Sequence, residues 1–540
     1  MRVLREWGLP ILAWAVGMVV AHSPMIFSAL RQMQWDLGDT RLLVYVLEHS
    51  FRWVMRSPHH LDFWSPPFFY PARNVAAYSE NLLGVAPFYW SWRWLGAPMD
   101  SAFQLWILSV STLNFAAAYA LLRRALVHRP ESAAIGAFVF AFGASRINQL
   151  GHEQLLPQFY TIIAIYSLIR LVSKPDLLSA PRALLYIAAF FLAIVAQLYA
   201  SVYYGWFLVL ALGVAAPFSL LSAVRSNFWN LIKRHWLSIG IAAALSAWLL
   251  SPMIIHYLRS AGQVGYRPFS EVNYYQARWA SWLDIGPYSW LYGRLADLSI
   301  FKNLPAEHEQ RLSFGYFTTF LSCVGLVIGR RKPIVQVLLA LSLILGIAST
   351  STAAGATAWR FVYHLVPGAA AIRTMARIGV LALIPGAIGV ALCVEHFFER
   401  GIWYVVPIFS LACVAEQRLA TPFFDKLWNR SATERIAAQI DPKCEAFFYA
   451  ALGGRFETWK YHLDAMWASL ISRVPTLNGY TGNSPPGWVL FESNIRDAPG
   501  VQRVRFLVHD WVVRNHLAPE HVCLLFLPAD ERWRAEPAPH

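Results

Sequence analysis

The sequence predicts an all-α polytopic membrane bundle with a small α/β unit at its C-terminal end. Of the 540 residues 57% are apolar and only 14% charged, against roughly 25% charged in a soluble domain. About eleven apolar segments approach the roughly 20 residues that a helix needs to cross a bilayer. After Ala420 the apolar runs shorten and charged residues return. The 24 Trp and 23 Tyr suit aromatic belts at the two membrane interfaces. In such a chain a net charge of +14 records topology rather than nucleic-acid binding. No basic stripe interleaved with aromatics and no nucleic-acid motif is present.

The predicted spans are Gly8–Leu30, Ser101–Leu122, Ser132–Gln149, Leu155–Val172, Ala183–Tyr199, Tyr203–Leu221, Trp236–Tyr257, Phe314–Gly329, Ile334–Ser351, Ile378–Val394 and Ile402–Ala420. The fifth and sixth form one nearly continuous run, split at Ala200–Ser201 because one helix of that length is unusual for a bilayer. No small-residue cleavage site follows the first span, so it reads as a helix rather than a removable leader. Leu82–Leu95 reads as an amphipathic interfacial helix.

Lys and Arg of the short loops set the orientation. Arg2 and Arg5, the Arg123–Arg129 cluster, Arg170 to Arg182 through Lys174, Arg225 to Arg234, and Arg330 to Lys332 fall at alternate span ends. That side is expected to be cytoplasmic. The expectation is a multi-pass protein of the inner (plasma) membrane with a cytoplasmic N-terminus. Residues 1–420 form the membrane domain, with large outer loops at 31–100 and 258–313, and residues 421–540 form an extracytoplasmic unit. In that unit Ala446–Leu452, Val504–Val508 and Val522–Leu527 read as strands, and Glu457–Ser472 and Pro486–Arg496 as helices. Cys323, Cys393 and Cys413 fall in spans and read as packing residues. Cys444 and Cys523 share the outer unit, where an oxidising compartment would let them pair.

Candidate chemistry gathers on the outer side. The first outer loop runs WDLGDTRLLVYVLEHSFRWVMRSPHHLDFWSPPFFYP from Trp35 to Pro71. Asp36 and Asp39 precede a helical run and would share a face if both lay in its first turn. The structural alternatives are that Asp39 caps that helix and Asp36 is a solvated loop residue. His59 and His60 follow, then Phe63–Pro71, expected to be extended because residues before proline avoid the helical region. Carboxylates beside aromatics at a membrane surface suit carbohydrate and phosphate chemistry. Glu80 and Asn81 suit substrate contact or helix capping. His152 and Glu153, in NQLGHEQ, suit a polar substrate or a metal, or loop hydrogen bonding. Glu271 lies among Tyr266, Arg267, Tyr274 and Tyr275. Thr352–Arg377 carries Arg360, Arg373 and Arg377 with no acidic residue. Arg373 and Arg377 are four apart, share a face on a helix, and offer guanidinium forks suited to phosphate or to lipid headgroups. No P-loop, dinucleotide fingerprint, zinc spacing or nucleophile elbow appears. Transporters place ionisable groups at mid-membrane, and their scarcity in these spans points to chemistry at the outer surface.

The WDLGD loop, FWSPPFFYP, FAFGASRINQLGHEQLLP at Phe140–Pro157, PGAAAIRTMAR at Pro367–Arg377 and NGYTGNSPPGW at Asn478–Trp488 resemble segments of the GT-C superfamily of polytopic glycosyltransferases, near bacterial YfhO-like and ArnT-like members. The resemblance covers most of the chain, and no single motif is specific. It implies a GT-C-like fold and inverting transfer of a sugar from a polyprenyl-phosphate donor to a glycan or lipid acceptor on the outer face. Asp39, or alternatively Asp36, would be the general base. Arg373 and Arg377 would stabilise the leaving phosphate, and the lipid tail would lie between helices. His152, Glu153, Glu80, Glu271 and His60 are the remaining candidate substrate contacts. No cofactor is required; a divalent cation is optional. The partners expected are the donor, the acceptor and membrane lipids, with no nucleic acid. The alternative of another class is a non-catalytic lipid or polysaccharide transporter.

Overall fold

The computed structural model describes residues 4–35, 37–173, 179–220 and 222–529. Arg2, Asp36, Lys174 and the last eleven residues of the C-terminal unit lie outside the described residues. Every predicted apolar segment contains a helix. In order these are Leu9–Phe27, Met99–Leu121, Pro130–Phe142, Phe159–Ser173, Ala180–Ala200, Val202–Ala215, Ser222–Val264, Tyr316–Gly329, Pro333–Ser349, Leu383–Glu399 and Val406–Glu416. Among the described residues six helices are long and apolar enough to cross a membrane: Glu6–Phe27, Met99–Leu126, Glu153–Ser173, Ala180–Ala200, Val224–Val264 and Met375–Glu399. The other predicted segments form shorter helices.

Local chemistry sets the breaks. The fifth and sixth segments part at Ser201, which is extended and accepts a hydrogen bond from the Tyr204 N–H, capping the Val202–Ala215 helix. The third segment ends early, at Phe142, because Gly143 is extended, and only a short turn, Ala144–Ile147, follows. The interfacial helix starts at Ala86 rather than Leu82, since Leu82 has a positive φ and the Asn81 side chain takes the Leu83 N–H. Small residues set the helix contacts: a Cβ on Gly325 would lie 1.8 Å from the Gly389 carbonyl oxygen. The Tyr316–Gly329 and Leu383–Glu399 helices therefore meet backbone to backbone, as small residues allow in membrane bundles.

The C-terminal segment is tied to the loop that follows the first helix. Strand β1 (Gln32–Gln34) pairs antiparallel with β2 (Phe423–Asp425). Beyond it, β3 (Ala446–Leu452), β4 (Asn494–Ile495) and β5 (Val522–Pro528) form a parallel sheet in the order β4-β3-β5. Leu42, Tyr45, Phe68 and Phe69 of the first loop share one core with Phe448, Leu463 and Trp511. The buried Arg41 guanidinium pairs with Asp464, and the Trp467 indole donates to the Arg41 carbonyl at 3.0 Å. Cys444 and Cys523 form a disulfide with Cα atoms 5.9 Å apart.

Three expectations of local structure are corrected. Val504–Val508 is part of a helix, Ala498–Arg514, capped by Asp497; its buried Val504, Val508, Trp511 and Val512 follow helical spacing, not alternation. Pro486–Arg496 is not a helix: Pro485, Pro486 and Gly487, whose φ is +74°, make a turn. Phe63–Pro71 is a series of bends, not an extended run. It turns so that the Phe69 and Tyr70 N–H groups reach the Asn478 and Thr476 carbonyls.

Candidate active site

Asp39 is the first residue of the Asp39–Val54 helix; Gly38 holds the cap position and no side-chain cap bond forms. The capping alternative is thereby corrected, and both Asp39 oxygens point elsewhere. Oδ2 accepts from His152 Nδ1 at 2.8 Å, and Oδ1 accepts from the Tyr480 hydroxyl at 2.9 Å. The two loops are locked by Trp35 and Gly151. Gly151 has φ +96°, and a Cβ there would lie 1.9 Å from the Trp35 ring. Only glycine permits that backbone and that approach. One residue further on, the Thr40 hydroxyl donates to Glu153 Oε1 at 2.8 Å. Glu153 is 1% exposed and stands behind the wall of the site, so it is corrected from substrate contact to loop support.

On its other side His152 Nε2 lies 3.3 Å from Glu309 Oε1. Glu309 in turn receives the Arg377 fork, at 2.6 Å from NH2 and 3.1 Å from Nε. The Arg377 guanidinium lies 5.0 Å from the Tyr203 ring centre. Arg373 sits over Tyr275 at 5.2 Å and has no carboxylate partner among the described residues. The two arginines do not share a helical face: Thr374 is extended and a 3₁₀ turn begins at Met375. One of the three arginines of the acid-free segment is thus neutralised by Glu309 from the other large loop.

These groups line one cavity of about 490 Å³, with Asp39, Glu80, His152, Glu309, Arg373 and Arg377 on its wall. Tyr480 reaches it from the C-terminal segment. Arg267 holds that loop, bonding the Asn483 side chain at 2.8 Å and the Gly482 carbonyl. Burial pushes the Asp39 carboxyl up, but His152, Tyr480 and Arg377 together hold it below the usual carboxylate value. Burial and Arg377 oppose protonation of His152, yet Glu309 and Asp39 push it up to about 9. Burial likewise opposes charge on Glu309, while Arg377 and His152 hold it well below the usual range. The chain of charges at neutral pH is therefore carboxylate, imidazolium, carboxylate, guanidinium.

The other predicted residues separate. Glu80 lines the cavity but spends its oxygens on the Val202 and Tyr203 N–H groups, at 2.6 and 3.3 Å. It caps a distant helix, and burial pushes it up to about 7. Glu271 is corrected: it lies outside the wall, 3.4 Å from Arg267. His60 is corrected too. It is 3% exposed and packs on His49, Nδ1 to Nδ1 at 2.7 Å, because the bend after the helix folds both rings inward. Sequence reasoning missed Glu309 and Tyr480. The EHE triplet at 307–309 was the available signal for the first, and Tyr480 sits inside the NGYTGNSPPGW segment.

A second cavity of about 620 Å³ has Ile378, the residue after Arg377, in its wall, with other apolar side chains such as Leu208, Leu338, Leu345 and Leu381. Among the described residues no group of three or more His, Cys, Asp or Glu side chains is arranged to hold a metal ion.

No family model matches the chain, and no curated protein matches it in sequence. Solved structures do match in fold. The Archaeoglobus fulgidus oligosaccharyltransferase in its apo form is similar at TM-score 0.53 and 12% identity, over 88% of this chain and 65% of that one. The arabinofuranosyltransferase AftD from mycobacteria is similar at TM-score 0.51 and 17% identity, over 87% of this chain and 31% of that one. The chain thus spans just under two thirds of the first and under a third of the second. At these identities the likeness is one of fold alone.

Proposed function

We propose that this chain is a membrane glycosyltransferase that moves a sugar from a polyprenyl-phosphate-linked donor to an acceptor hydroxyl on the outer face. The observation that carries the reading is that Asp39 and Arg373 line one cavity, while Ile378, next in the chain to Arg377, lines a second, apolar one. Asp39 takes the acceptor proton as general base. The acceptor oxygen forms its bond to the anomeric carbon from the far side as the bond to phosphate oxygen breaks, which inverts the centre. The bonding electrons leave with the lipid phosphate. Arg373, which has no carboxylate partner among the described residues, meets that growing charge; Arg377 contributes from behind through its field, since its fork is held by Glu309. The apolar cavity takes the lipid chain. The structural likeness to glycosyltransferases and the apolar lining of the second cavity support transfer over a polar transport route. In this reading the protein sits in the inner membrane with the C-terminal unit outside, and the Cys444–Cys523 disulfide suits that oxidising side.

The test is transfer by the full chain in lipid nanodiscs with a panel of labelled polyprenyl-phosphate sugars and a crude envelope glycan as acceptor. Labelled acceptor formed by the wild type and lost in Asp39→Asn is expected. No transfer from any donor, alongside donor-independent lipid movement in vesicles, would move the reading to transport.

A further inference from the structure

His152 is engaged on both ring nitrogens. Nδ1 lies 2.8 Å from Asp39 Oδ2 and Nε2 lies 3.3 Å from Glu309 Oε1. Nδ1 donates a hydrogen bond to Asp39, and Nε2 faces the second carboxylate at ion-pair distance; of the imidazole forms only the cation presents a proton to both carboxylates. The charged and titratable groups around it are few. Asp39 comes from the helix start, with Tyr480 behind it. Glu309 and His308 come from the 307–309 turn, and Arg377 from the turn at 375. Glu153, next in the chain, is turned to Thr40. Two carboxylates face this ring, against one guanidinium that is itself bound to the farther carboxylate. With Nδ1 given to Asp39 and Nε2 turned to Glu309, the ring is directed at the two carboxylates.

We infer that His152 is a positioning residue: an imidazolium spanning Asp39 and Glu309 that fixes the Asp39 carboxylate at the cavity wall and keeps it ionised. Engaging Oδ2 leaves Oδ1, which accepts one hydrogen bond from the Tyr480 hydroxyl and keeps a second lone pair, as the oxygen to meet an acceptor. Arg377 completes the device by holding Glu309 with a two-point fork, which fixes direction as well as charge. The base and Arg377 are thus joined through one line of four charges. Only the statement that an acceptor proton is taken rests on the proposed transfer; the hold on Asp39 does not.

The experiment follows Asp39 directly, by infrared titration of the full chain in nanodiscs, its carboxyl band assigned as the one missing in Asp39→Asn. The acid limb of kcat/KM for transfer is measured in parallel. His152→Gln keeps a donor for Asp39 but removes the charge. Burial then acts with less opposition, and Asp39 should titrate roughly 1–3 pH units higher, with the acid limb following and the donor KM unchanged. An Asp39 band that titrates at the same pH in wild type and in folded His152→Gln overturns the inference. If His152→Gln does not fold, Glu309→Gln decides through NMR of labelled histidine: a His152 titration that falls supports the bridge, and one that stays overturns it. A shifted Asp39 band in a protein that transfers no sugar leaves the inference standing and sinks the enzymatic reading.

Discussion

The Asp39 carboxylate and the His152 imidazole meet at 2.8 Å across 113 residues of chain, and the contact exists because Trp35 packs onto the bare backbone of Gly151. Since Asp39 makes no side-chain cap bond, replacing it by Asn should leave the helix intact. Asn still offers an oxygen to His152 but cannot take a proton. Asp39→Asn is therefore expected to keep expression and the helix, to melt somewhat earlier because one charge of the His152 pair is gone, and to lower transfer by roughly 10²–10⁴-fold. Asp36→Asn serves as the control, with a smaller loss; full activity in Asp39→Asn with loss in Asp36→Asn would move the base by three residues.

The two arginines should respond differently. Arg373 sits over the Tyr275 ring and has no carboxylate partner among the described residues, so Arg373→Ala should weaken donor binding and spare the melting temperature. Arg377→Ala strips the fork from Glu309, which is 2% exposed. Removing one partner of such a buried pair typically costs about 3–5 kcal/mol, so this variant should melt earlier as well as bind donor poorly. Lys at 373 should restore donor binding only in part, having no planar fork. Donor titration and thermal melting of the same samples separate the two; equal melting of both alanine variants would contradict the buried pair.

The helices were legible because apolar length is a local property. The split at Ser201 could be read for the same reason. Tertiary pairings were not legible: Glu309 and Arg377 lie 68 residues apart, and nothing in the Thr352–Arg377 segment announces an acid arriving from another loop. His60 looked like an outer-loop polar group, but its pairing with His49 places it in the core. Val504–Val508 was misread because two valines four apart suit a helix face as well as a short apolar run. Asp39 and His152 were each visible as candidates; what the sequence could not supply was that they touch.

Reduction of the Cys444–Cys523 disulfide should reach the active site. Its cysteines are 79 residues apart, and closing a long loop stabilises a fold by roughly 2–4 kcal/mol. The bond joins the start of β3 to β5, while the segment after β3 carries Tyr480 to Asp39. Cys444→Ser with Cys523→Ser should lower the stability of the C-terminal unit and reduce transfer, whereas Cys323→Ser should do neither. Mass spectrometry of unreduced protein should show the linked peptides; both thiols freely alkylated in native protein would remove the basis for this expectation.

The last expectation concerns the alkaline side of the pH profile. His152 titrates at about 9 in the folded site, above its ordinary 6.5, because Glu309 and Asp39 outweigh burial and Arg377. A group raised on folding lends stability that is full below its unfolded value and fades as pH rises through the folded one. Between pH 6.5 and about 9 the bridge is therefore in place but weakening. Above that the ring loses a proton and can donate to only one of its two carboxylates. Asp39 and Glu309 have the opposite sign, with folded values below the ordinary ones, so their contribution is lost only in acid. Transfer and melting temperature should accordingly fall together as pH rises through about 9. In His152→Gln that alkaline fall should be absent, since glutamine has no proton to lose there. An alkaline limb that persists unchanged in His152→Gln would assign it to another group.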